Sequence, residues 1–426
     1  TGQGLYAFSP LTFANRFYQY LTATDLYNNS LGFAITGLDA NGVNGTDSNN
    51  VPFTTAKGYL IRTPWNHPTT PTVWTGQFTG LPNNGNIGYT LETTGNRFNA
   101  VGNPYPSPIS ISAFLADNSS LIGSTLWFWR KTNNPNNLIT PTTSYITYSG
   151  GTYSSGNEPN YNIQPGQGFI VQGTTSGSLQ FNNLQRVATD GRFFRNNTQA
   201  NTAGEGRVWF NLVRGTELAA SLAIGYKEGA TNDLDADFDG KYINDSQLAL
   251  TSFVQGQELA VQHRATPFVD TDVVPLSFKT NLAGTYSIVF NGADGVLNTQ
   301  DVYLLDLLLN QSVDIKANSY SFTSEAGVFA DRFKIVYVDN ALGIDVPGFN
   351  ANQVVIYQNQ VKDFVIETGN IVMSEVKVFD IRGRLIFTQK EINDSQTTIN
   401  VGQTNEVLLV QITAQDGLVV TKKVVR

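Results

Sequence analysis

Glycine and proline interrupt the first part of the chain about every eight to twelve residues, and this spacing limits the fold more than any other feature. The turns lie at Gly58, Gly76, Gly80-Leu-Pro82, Gly102-Asn-Pro104 and Pro165-Gly166. Long helices do not fit between turns at this spacing, whereas the short strands of a β-sandwich do. Apolar stretches between the turns predict strands at 58–62, 124–129 and 168–172. One short helix is expected at 111–116, after Ser110 or Ser112 as its cap.

The composition also favours strands over helices. Charged residues make up only 14% of the chain and aromatic residues 12%, whereas helices would require more Ala, Glu, Lys and Leu. Further strands are expected at 207–213, 220–226, 273–279, 284–290, 320–324 and 332–338. We therefore predict an all-β protein of consecutive β-sandwich modules, jelly-roll-like and Ig-like.

The chain of 426 residues is too long for one small domain. We predict a module at 1–200, an acidic module at 201–340, a linker at 341–352 that is rich in Gly, Pro and Asn, and a C-terminal module at 353–426. Residues 201–352 carry nineteen acidic and nine basic side chains. This surplus repels phosphate, so nucleic acid is excluded as a partner.

The N-terminal residue, the missing cysteines and the lack of long apolar runs add three expectations. The chain begins with Thr1 instead of Met, which predicts a processed or truncated end from which any signal peptide has already been removed. It has no cysteine, so neither disulfides nor a cysteine-based metal site or nucleophile can form. No run of eighteen apolar residues is present either, so no membrane-spanning helix is expected.

Catalytic motifs are missing from the sequence. It has two histidines, and it contains no Gly-x-Ser-x-Gly, Walker or dinucleotide-binding pattern. Paired carboxylates for glycoside hydrolysis cannot be placed across a cleft from sequence alone. We therefore predict that this chain is not an enzyme and needs no cofactor other than a possible calcium ion.

The calcium hypothesis rests on alternating carboxylates at Asp233, Asp235, Asp237 and Asp239. With Gly240 they match the first half of a calcium loop, because hard cations bind several oxygen ligands. The second half does not match, since Ser246 stands where the loop would have Glu. A solvated acidic loop explains the same pattern, and both interpretations stay open.

Tryptophans in loops are the other candidates for ligand binding. Trp65 and Trp74 lie in turn-rich surroundings where their rings could stack on sugars. Trp127 and Trp129 fall on the same face of a predicted strand, which favours core packing.

The most specific sequence motifs lie in the last seventy or so residues. Val376, Val378 and Ile381 are followed by a turn at Gly383 and by further apolar residues at Leu385 and Phe387, which predicts two half-buried strands. The run Val378-Phe-Asp-Ile-Arg-Gly-Arg-Leu385, then Leu408-Leu-Val-Gln-Ile412, then Gly417 and the terminal Thr421-Lys-Lys-Val-Val-Arg426 resemble the C-terminal sorting domains of type IX secretion cargo in Bacteroidota. Gly402-Gln-Thr-Asn405 is similar to the variant called sorting signal type C.

Upstream phrases extend this resemblance. Gly102-Asn-Pro-Tyr-Pro-Ser107, Gln164-Pro-Gly-Gln-Gly-Phe-Ile-Val171 and Phe181-Asn-Asn183 with Arg186 resemble a module that often precedes sorting domains in Flavobacterium-type surface proteins. Physically, each phrase is a rigid turn, because proline restricts φ and glycine tolerates positive φ. Pro165-Gly166 indicates a type II turn before a buried strand.

The resemblance implies an extracellular protein at the cell surface, associated with the outer membrane, whose small Ig-like C-terminal sandwich directs export. In such cargo this domain passes the type IX translocon and docks on an outer-membrane shuttle barrel. It is then cleaved and attached to surface polysaccharide, or it is retained. The matching recognition residues in this sequence are Asp380, Arg382, Gly383, Arg384, Lys422, Lys423, Val424, Val425 and Arg426. Alternatively, Gly383 only forms the turn and the lysines only protect an exposed strand edge.

For the upstream modules the sequence leaves three roles open. The resemblance implies an adhesin or gliding-motility surface protein. The alternatives are an accessory region of a secreted polysaccharide-degrading enzyme and a spacer without a ligand.

Overall fold

The computed structural model describes residues 3–12, 17–28, 52–64, 66–68, 72–131, 143–156, 162–188, 204–243, 246–339, 349–402 and 406–425. Nearly all of its regular structure is β-strand, which confirms the all-β sandwich prediction. In this part of the chain no helix is long and apolar enough to cross a membrane.

The N-terminal region contains small sheets and one helix of more than one turn. Its elements are α1 (Leu5–Phe8), β1 (Phe17–Leu21), β2 (Leu26–Asn28), β3 (Tyr59–Ile61), β4 (Ile87–Thr90), β5 (Phe98–Gly102), β6 (Ile109–Ser110), α2 (Ile111–Asn118), β7 (Ile122–Lys131), β8 (Thr143–Ser149), β9 (Thr152–Tyr153), β10 (Asn162–Ile163), β11 (Gly168–Gly173) and β12 (Ser178–Phe181), followed by a 3-10 turn at Asn183–Gln185. The largest sheet has the order β5-β11-β7-β8-β9. A second sheet is β2-β1-β3, and β10-β6 and β12-β4 form pairs.

The predicted helix and the predicted type II turn are both confirmed. The Ser110 hydroxyl accepts from the backbone N–H of Ala113 at the start of α2, which supplies one of the hydrogen bonds a helix end otherwise lacks. Phe114 of α2 is fully buried against Phe169 and Phe181. At the turn, Gly166 has φ +71° and the N–H of Gln167 donates to Gln164 O at 3.0 Å.

The middle region forms one eleven-stranded sheet that contains all of the strands predicted there. These are β13 (Gly206–Arg214), β14 (Glu217–Tyr226), β15 (Gly240–Lys241), β16 (Ala249–Val254), β17 (Gln257–Arg264), β18 (Val273–Thr280), β19 (Gly284–Gly295), β20 (Tyr303–Asp306), β21 (Gln311–Asp314), β22 (Tyr320–Ser324) and β23 (Gly327–Val336), with a 3-10 turn at Val296–Asn298. The order is β21-β20-β23-β18-β16-β17-β14-β13-β19-β22, and β15 pairs with β17. Strands β14 and β17 are parallel.

A buried ion pair lies within the core of this region. Arg332 Nη2 donates to Asp306 Oδ2 at 2.8 Å, and the two side chains are 3% and 0% exposed. The guanidinium lies over the rings of Phe322 and Phe333, and Tyr320 donates to the same carboxylate. Removing one member of such a pair would leave the other charged and unpaired in a medium that solvates it poorly.

The C-terminal region is a sandwich of two sheets. Its elements are a 3-10 turn at Ala351–Gln353, β24 (Val355–Gln358), β25 (Phe364–Glu367), β26 (Met373–Asp380), β27 (Leu385–Asp394), β28 (Gln396–Ile399), β29 (Val407–Ala414) and β30 (Val419–Val425). The sheets have the orders β24-β25-β28 and β27-β26-β29-β30. Their inner faces enclose a separate core that includes Ile366, Val376, Val410 and Ile412. Ile381 was expected to continue the buried alternation, but it lies in the turn and is 71% exposed.

The N-terminal and middle regions contact each other through buried tryptophans. Trp127 Nε1 donates to Lys241 O at 2.9 Å, and Trp209 Nε1 donates to Tyr153 O at 2.9 Å. Both side chains are about 1% exposed, and each indole nitrogen has an acceptor, as a buried polar group requires. These contacts bury the outer face of β13 and β7 and join the two regions.

Candidate functional site

The four-stranded sheet of the C-terminal sandwich brings most of the predicted recognition residues to one end. Asp380, the last residue of β26, is paired with Leu408 of β29, and Leu408 is paired with Val424 of β30. Neighbouring strands are about 4.8 Å apart, so Asp380 and Val424 are about 10 Å from each other. Residues that are more than forty positions apart in sequence therefore lie together at one end of the four-stranded sheet.

Asp380 holds the turn between β26 and β27. Its side chain is buried, and Oδ1 accepts from the backbone N–H groups of Arg382 at 3.0 Å and Arg384 at 2.9 Å. Oδ2 accepts from Arg384 Nε at 3.0 Å. The N–H of Arg384, followed by that of Arg382 and by the guanidinium of Arg384, holds the pKa of Asp380 below its usual value. Gly383 has φ +82°, a conformation that side chains with a Cβ disfavour.

The recognition residues at this end of the four-stranded sheet differ in accessibility. The side chains of Arg382 and Arg384 are exposed, as are Lys423 and Val425 on the outer face of β30. Val424 alternates inward and packs in the core. Arg426 and the segment Gln403-Thr-Asn405 lie outside the described residues.

Lys422 has a contact that the sequence did not indicate. Its Nζ donates to Glu325 Oε1 of the middle region at 3.1 Å and to the carbonyl of Val354. A neighbouring contact joins the same two regions, because Thr323 Oγ1 donates to Gln353 O at 2.8 Å. Lys422 therefore binds strand β30 to the middle region of the same chain, whereas Lys423 points to solvent.

The acidic loop directs two of its carboxylates at backbone N–H groups. Asp235 Oδ2 accepts from the N–H of Thr231, and Asp239 Oδ2 accepts from the N–H of Asp235 at 2.9 Å. Asp233 accepts from Gln255, and Asp237 is exposed. In the described ranges no three acidic or histidine side chains lie close enough together to hold a metal ion. Calcium binding by Asp233, Asp235, Asp237 and Asp239 stays a prediction.

Asp239 and His263 form a buried polar cluster where the N-terminal and middle regions meet. Asp239 Oδ1 accepts from the N–H of His263 at 2.9 Å, and the imidazole lies between Phe238 O at 2.8 Å and Thr152 Oγ1 at 2.9 Å. Burial lowers the pKa of His263 to about 4 and raises the pKa of Asp239 to about 6. At neutral pH the histidine is therefore uncharged and acts as an interface residue.

An aromatic cleft of about 520 Å³ opens in the N-terminal region. One wall is a cluster of rings in which the centroid of Phe8 lies 4.6 Å from that of Phe78 and 5.4 Å from that of Phe53. Tyr59 packs edge-on against Phe53, with centroids 5.3 Å apart. Phe78 is 52% exposed and so presents its ring to solvent at the mouth of the cleft. We call this feature the aromatic cleft below.

The aromatic cleft is also lined by the turn at 102–106 and by Pro165-Gly166. This part of the lining adjoins the ring cluster, because a Cβ on Gly166 would lie 3.5 Å from the Phe78 ring. Asn103 is buried, and its Nδ2 donates to Ser107 O at 2.9 Å and to Ile163 O at 3.0 Å. The Tyr105 hydroxyl donates to Gly85 O at 2.6 Å, and burial raises the pKa of this phenol. The phrases predicted to be rigid turns are therefore held by side-chain hydrogen bonds, and they also line a cavity.

The predicted ligand-binding tryptophans have different outcomes. Trp65 lies outside the described residues. Trp74 packs edge-on against Phe8, with ring centroids 5.5 Å apart, and is not among the described residues that line the aromatic cleft. No local sequence pattern predicts the cleft, because Phe8, Phe53 and Phe78 are far apart in the chain and follow no periodic pattern.

Comparison with known families separates the C-terminal sandwich from the rest of the chain. One family model, Domain of unknown function (DUF8693), matches residues 1–337. The chain belongs to this family. A second model, Domain of unknown function (DUF8694), matches residues 342–426. None of the curated proteins compared with the chain matches it.

The extent of the DUF8693 region agrees with the contacts between sheets. It covers the N-terminal and middle regions together, including both tryptophan contacts and the Asp239–His263 cluster between them. The DUF8694 region covers the C-terminal sandwich with its separate core. The division of residues 1–340 at position 200 stays a prediction.

Proposed function

We propose that this chain is a cell-surface protein exported by the type IX secretion system, and that its C-terminal sandwich is the export signal. In this proposal an outer-membrane shuttle barrel docks the folded sandwich after passage through the translocon. The DUF8693 region is then displayed outside the cell for adhesion. The observation that carries the proposal is that Asp380, Leu408 and Val424 lie side by side on neighbouring strands at one end of the four-stranded sheet.

This end of the four-stranded sheet has the properties of a docking surface for a folded signal. Arg382, Arg384 and Lys423 are exposed within it and give it positive charge. Strand β30 is the outer strand of its sheet, so one row of its backbone groups is available for pairing with a partner strand. Exposed charge sets orientation and association rate, while strand pairing supplies most of the binding energy.

The upstream region supports a binding role better than a catalytic one. Its aromatic cleft has one charged side chain among its described lining residues, Lys57, and no carboxylate or histidine. General acid–base or nucleophilic chemistry needs such groups within hydrogen-bonding distance of a substrate. A displayed binding module is therefore the proposed role of this region.

The proposal is tested by necessity of the C-terminal sandwich for display. The full chain, a chain that ends at residue 341, and a full chain with Arg382→Ala and Arg384→Ala are expressed in a Bacteroidota host with a working type IX translocon. Surface exposure is measured by accessibility to added protease and antibody. Arg97→Ala, on an exposed loop of the N-terminal region, is the matched control.

We expect display of the full chain and of the control, no display of the truncated chain, and reduced display of the double variant. Equal surface exposure of the truncated and full chains would contradict the proposal. Display of the full chain in a translocon mutant would contradict it as well.

A further inference from the structure

We propose that the aromatic cleft is a binding site for a neutral oligosaccharide. This inference deepens the adhesive role proposed for the DUF8693 region by naming a site and a ligand class. It rests on the geometry of Phe8, Phe53, Phe78 and the turn at 102–106, and it does not depend on how the chain leaves the cell.

The aromatic wall is rigid and presents ring surface to solvent. Phe8 is held between Trp74, Phe53 and Phe78 by close ring contacts. Gly76 permits this arrangement, because a Cβ at this position would lie 2.5 Å from the Phe8 ring. Phe78 remains half-exposed although it belongs to the cluster. A large exposed ring beside a cavity indicates a surface that a ligand covers.

The turns that line the rest of the cleft are fixed before any ligand arrives. Asn103 binds its own turn through the N–H of Tyr105 and binds the following segment through the carbonyls of Ile163 and Gln164. Asn83 Nδ2 donates to Pro104 O at 2.8 Å. Prolines at 104, 106 and 165 restrict the backbone further. A preformed wall reduces the ordering cost of binding.

The charge of the lining selects an uncharged ligand. Lys57 is the one side chain in the described lining that is charged at neutral pH, and its Nζ donates to Gln19 Oε1 at 3.0 Å. An anionic ligand would have no second cation in this lining, and a cationic ligand would find no carboxylate. Burying either kind of charge without a partner is costly.

The mixture of groups fits a sugar better than a purely apolar ligand. Rings of Phe53, Tyr59 and Phe78 offer faces and edges for the C–H surface of a pyranose. Thr54 and Thr55 at the rim, together with backbone carbonyls of the glycine-rich turns, offer partners for hydroxyl groups. The volume of about 520 Å³ lies within the range of small-molecule sites.

The test uses the purified full chain and isothermal titration with cellohexaose, maltohexaose, xylohexaose and mannohexaose. Three variants accompany the wild type. Phe78→Ala removes the exposed ring, and loss of one aromatic contact is expected to weaken binding about two- to tenfold. Thr55→Arg fills the rim of the cleft and is expected to abolish binding. Leu81→Ala, which is 88% exposed on the same loop but does not line the cleft, is the matched control and should bind like wild type.

A control variant and a spectroscopic measurement distinguish loss of the binding site from loss of folding. Thr63→Arg places the same charge and bulk on an exposed position outside the cleft and should bind normally. Near-ultraviolet circular dichroism confirms that each variant keeps its tertiary packing. Binding of a neutral hexasaccharide that Phe78→Ala weakens and Thr55→Arg abolishes would support the proposal.

The proposal is overturned if none of the four hexasaccharides binds, or if wild type and both cleft variants bind equally. Binding of a proline-rich peptide without any saccharide would also overturn it, because aromatic grooves can recognise polyproline helices. Since purified protein is used, failure here leaves the export proposal untouched.

Discussion

The turn at Gly383 allows the role of the hairpin in folding to be separated from its role in recognition. Gly383 has φ +82°, and a Cβ built on it meets no atom within 4 Å. Gly383→Ala therefore introduces no clash, and its cost is the left-handed backbone alone, about 1 to 2 kcal/mol. Each kcal/mol lowers the unfolding temperature of a domain of this size by about 4 to 8 °C.

Arg382→Ala makes the complementary change. The Arg382 side chain is exposed, and its backbone N–H, which binds Asp380, is retained in the variant. Substitutions at such surface positions change stability by about 0.5 kcal/mol or less. The two variants therefore separate stability from surface chemistry at neighbouring positions of one turn.

The assay measures thermal unfolding of residues 342–426 by circular dichroism and surface display of the full chain in a host with a type IX translocon. We expect Gly383→Ala to unfold at a lower temperature but to be displayed normally at growth temperatures well below its transition. Arg382→Ala should keep its unfolding temperature and show reduced display. If Arg382→Ala were displayed like wild type while only Gly383→Ala lost display, the hairpin would act through folding alone and the reasoning would be refuted.

Three further predictions concern the upstream regions. The folded-state pKa of His263 is about 4, below its ordinary 6.5, so between these pH values the unfolded chain binds more protons than the folded chain. As pH falls from 6.5 to 4, the free energy of unfolding of wild type should therefore decrease by about 3 kcal/mol relative to that of His263→Gln. Urea unfolding measures both proteins. Parallel pH dependence of the two proteins would contradict this. Arg332→Met should lower the free energy of unfolding by about 3 to 5 kcal/mol, because it leaves the buried Asp306 carboxylate without its cation. Adding Asp306→Asn should restore part of this loss. Equal stability of the single and double variants would show that the pair is not coupled. Calcium binding by the acidic loop predicts that added calcium raises the unfolding temperature and that a chelator reverses the rise, whereas an unchanged unfolding temperature would favour a solvated loop whose Asp235 and Asp239 accept from backbone N–H groups.

The class of the fold was predictable because strands and turns have local signatures. Strand β26 follows from the alternation of Val376 and Val378, and helix α2 follows from Ser110 as its cap. The same local logic misplaced Ile381, because Asp380 ends the strand by accepting hydrogen bonds from the turn. A side-chain hydrogen bond of this kind has no periodic signal.

Contacts between distant strands were not predictable from such patterns. The aromatic cleft joins Phe8, Phe53 and Phe78, which come together only because the fold of the N-terminal region places separate segments side by side. His263 lies in no catalytic motif of the sequence, and its contact with Thr152 depends on the packing of two sheets. Sheet order sets these contacts, and a single sequence carries no direct information on pairing between distant strands.

The resemblance in the last residues predicts a set of recognition positions, and the register of the sheet brings several of them close together. Asp380 and Val424 are separated by one strand, β29. Lys422 was expected to be part of the same surface, but its contact with Glu325 directs it toward the middle region. Alternation along β30 accounts for the difference, since successive side chains point to opposite faces.

The most direct test of the export proposal is whether the C-terminal sandwich is sufficient as a signal. Residues 341–426 are fused to a fluorescent protein carrying a signal peptide for the periplasm, and surface fluorescence is quantified in Bacteroidota strains with and without a working type IX translocon. The proposal predicts surface fluorescence in the first strain and its loss in the second. Fluorescence that stays in the periplasm of both strains would contradict it.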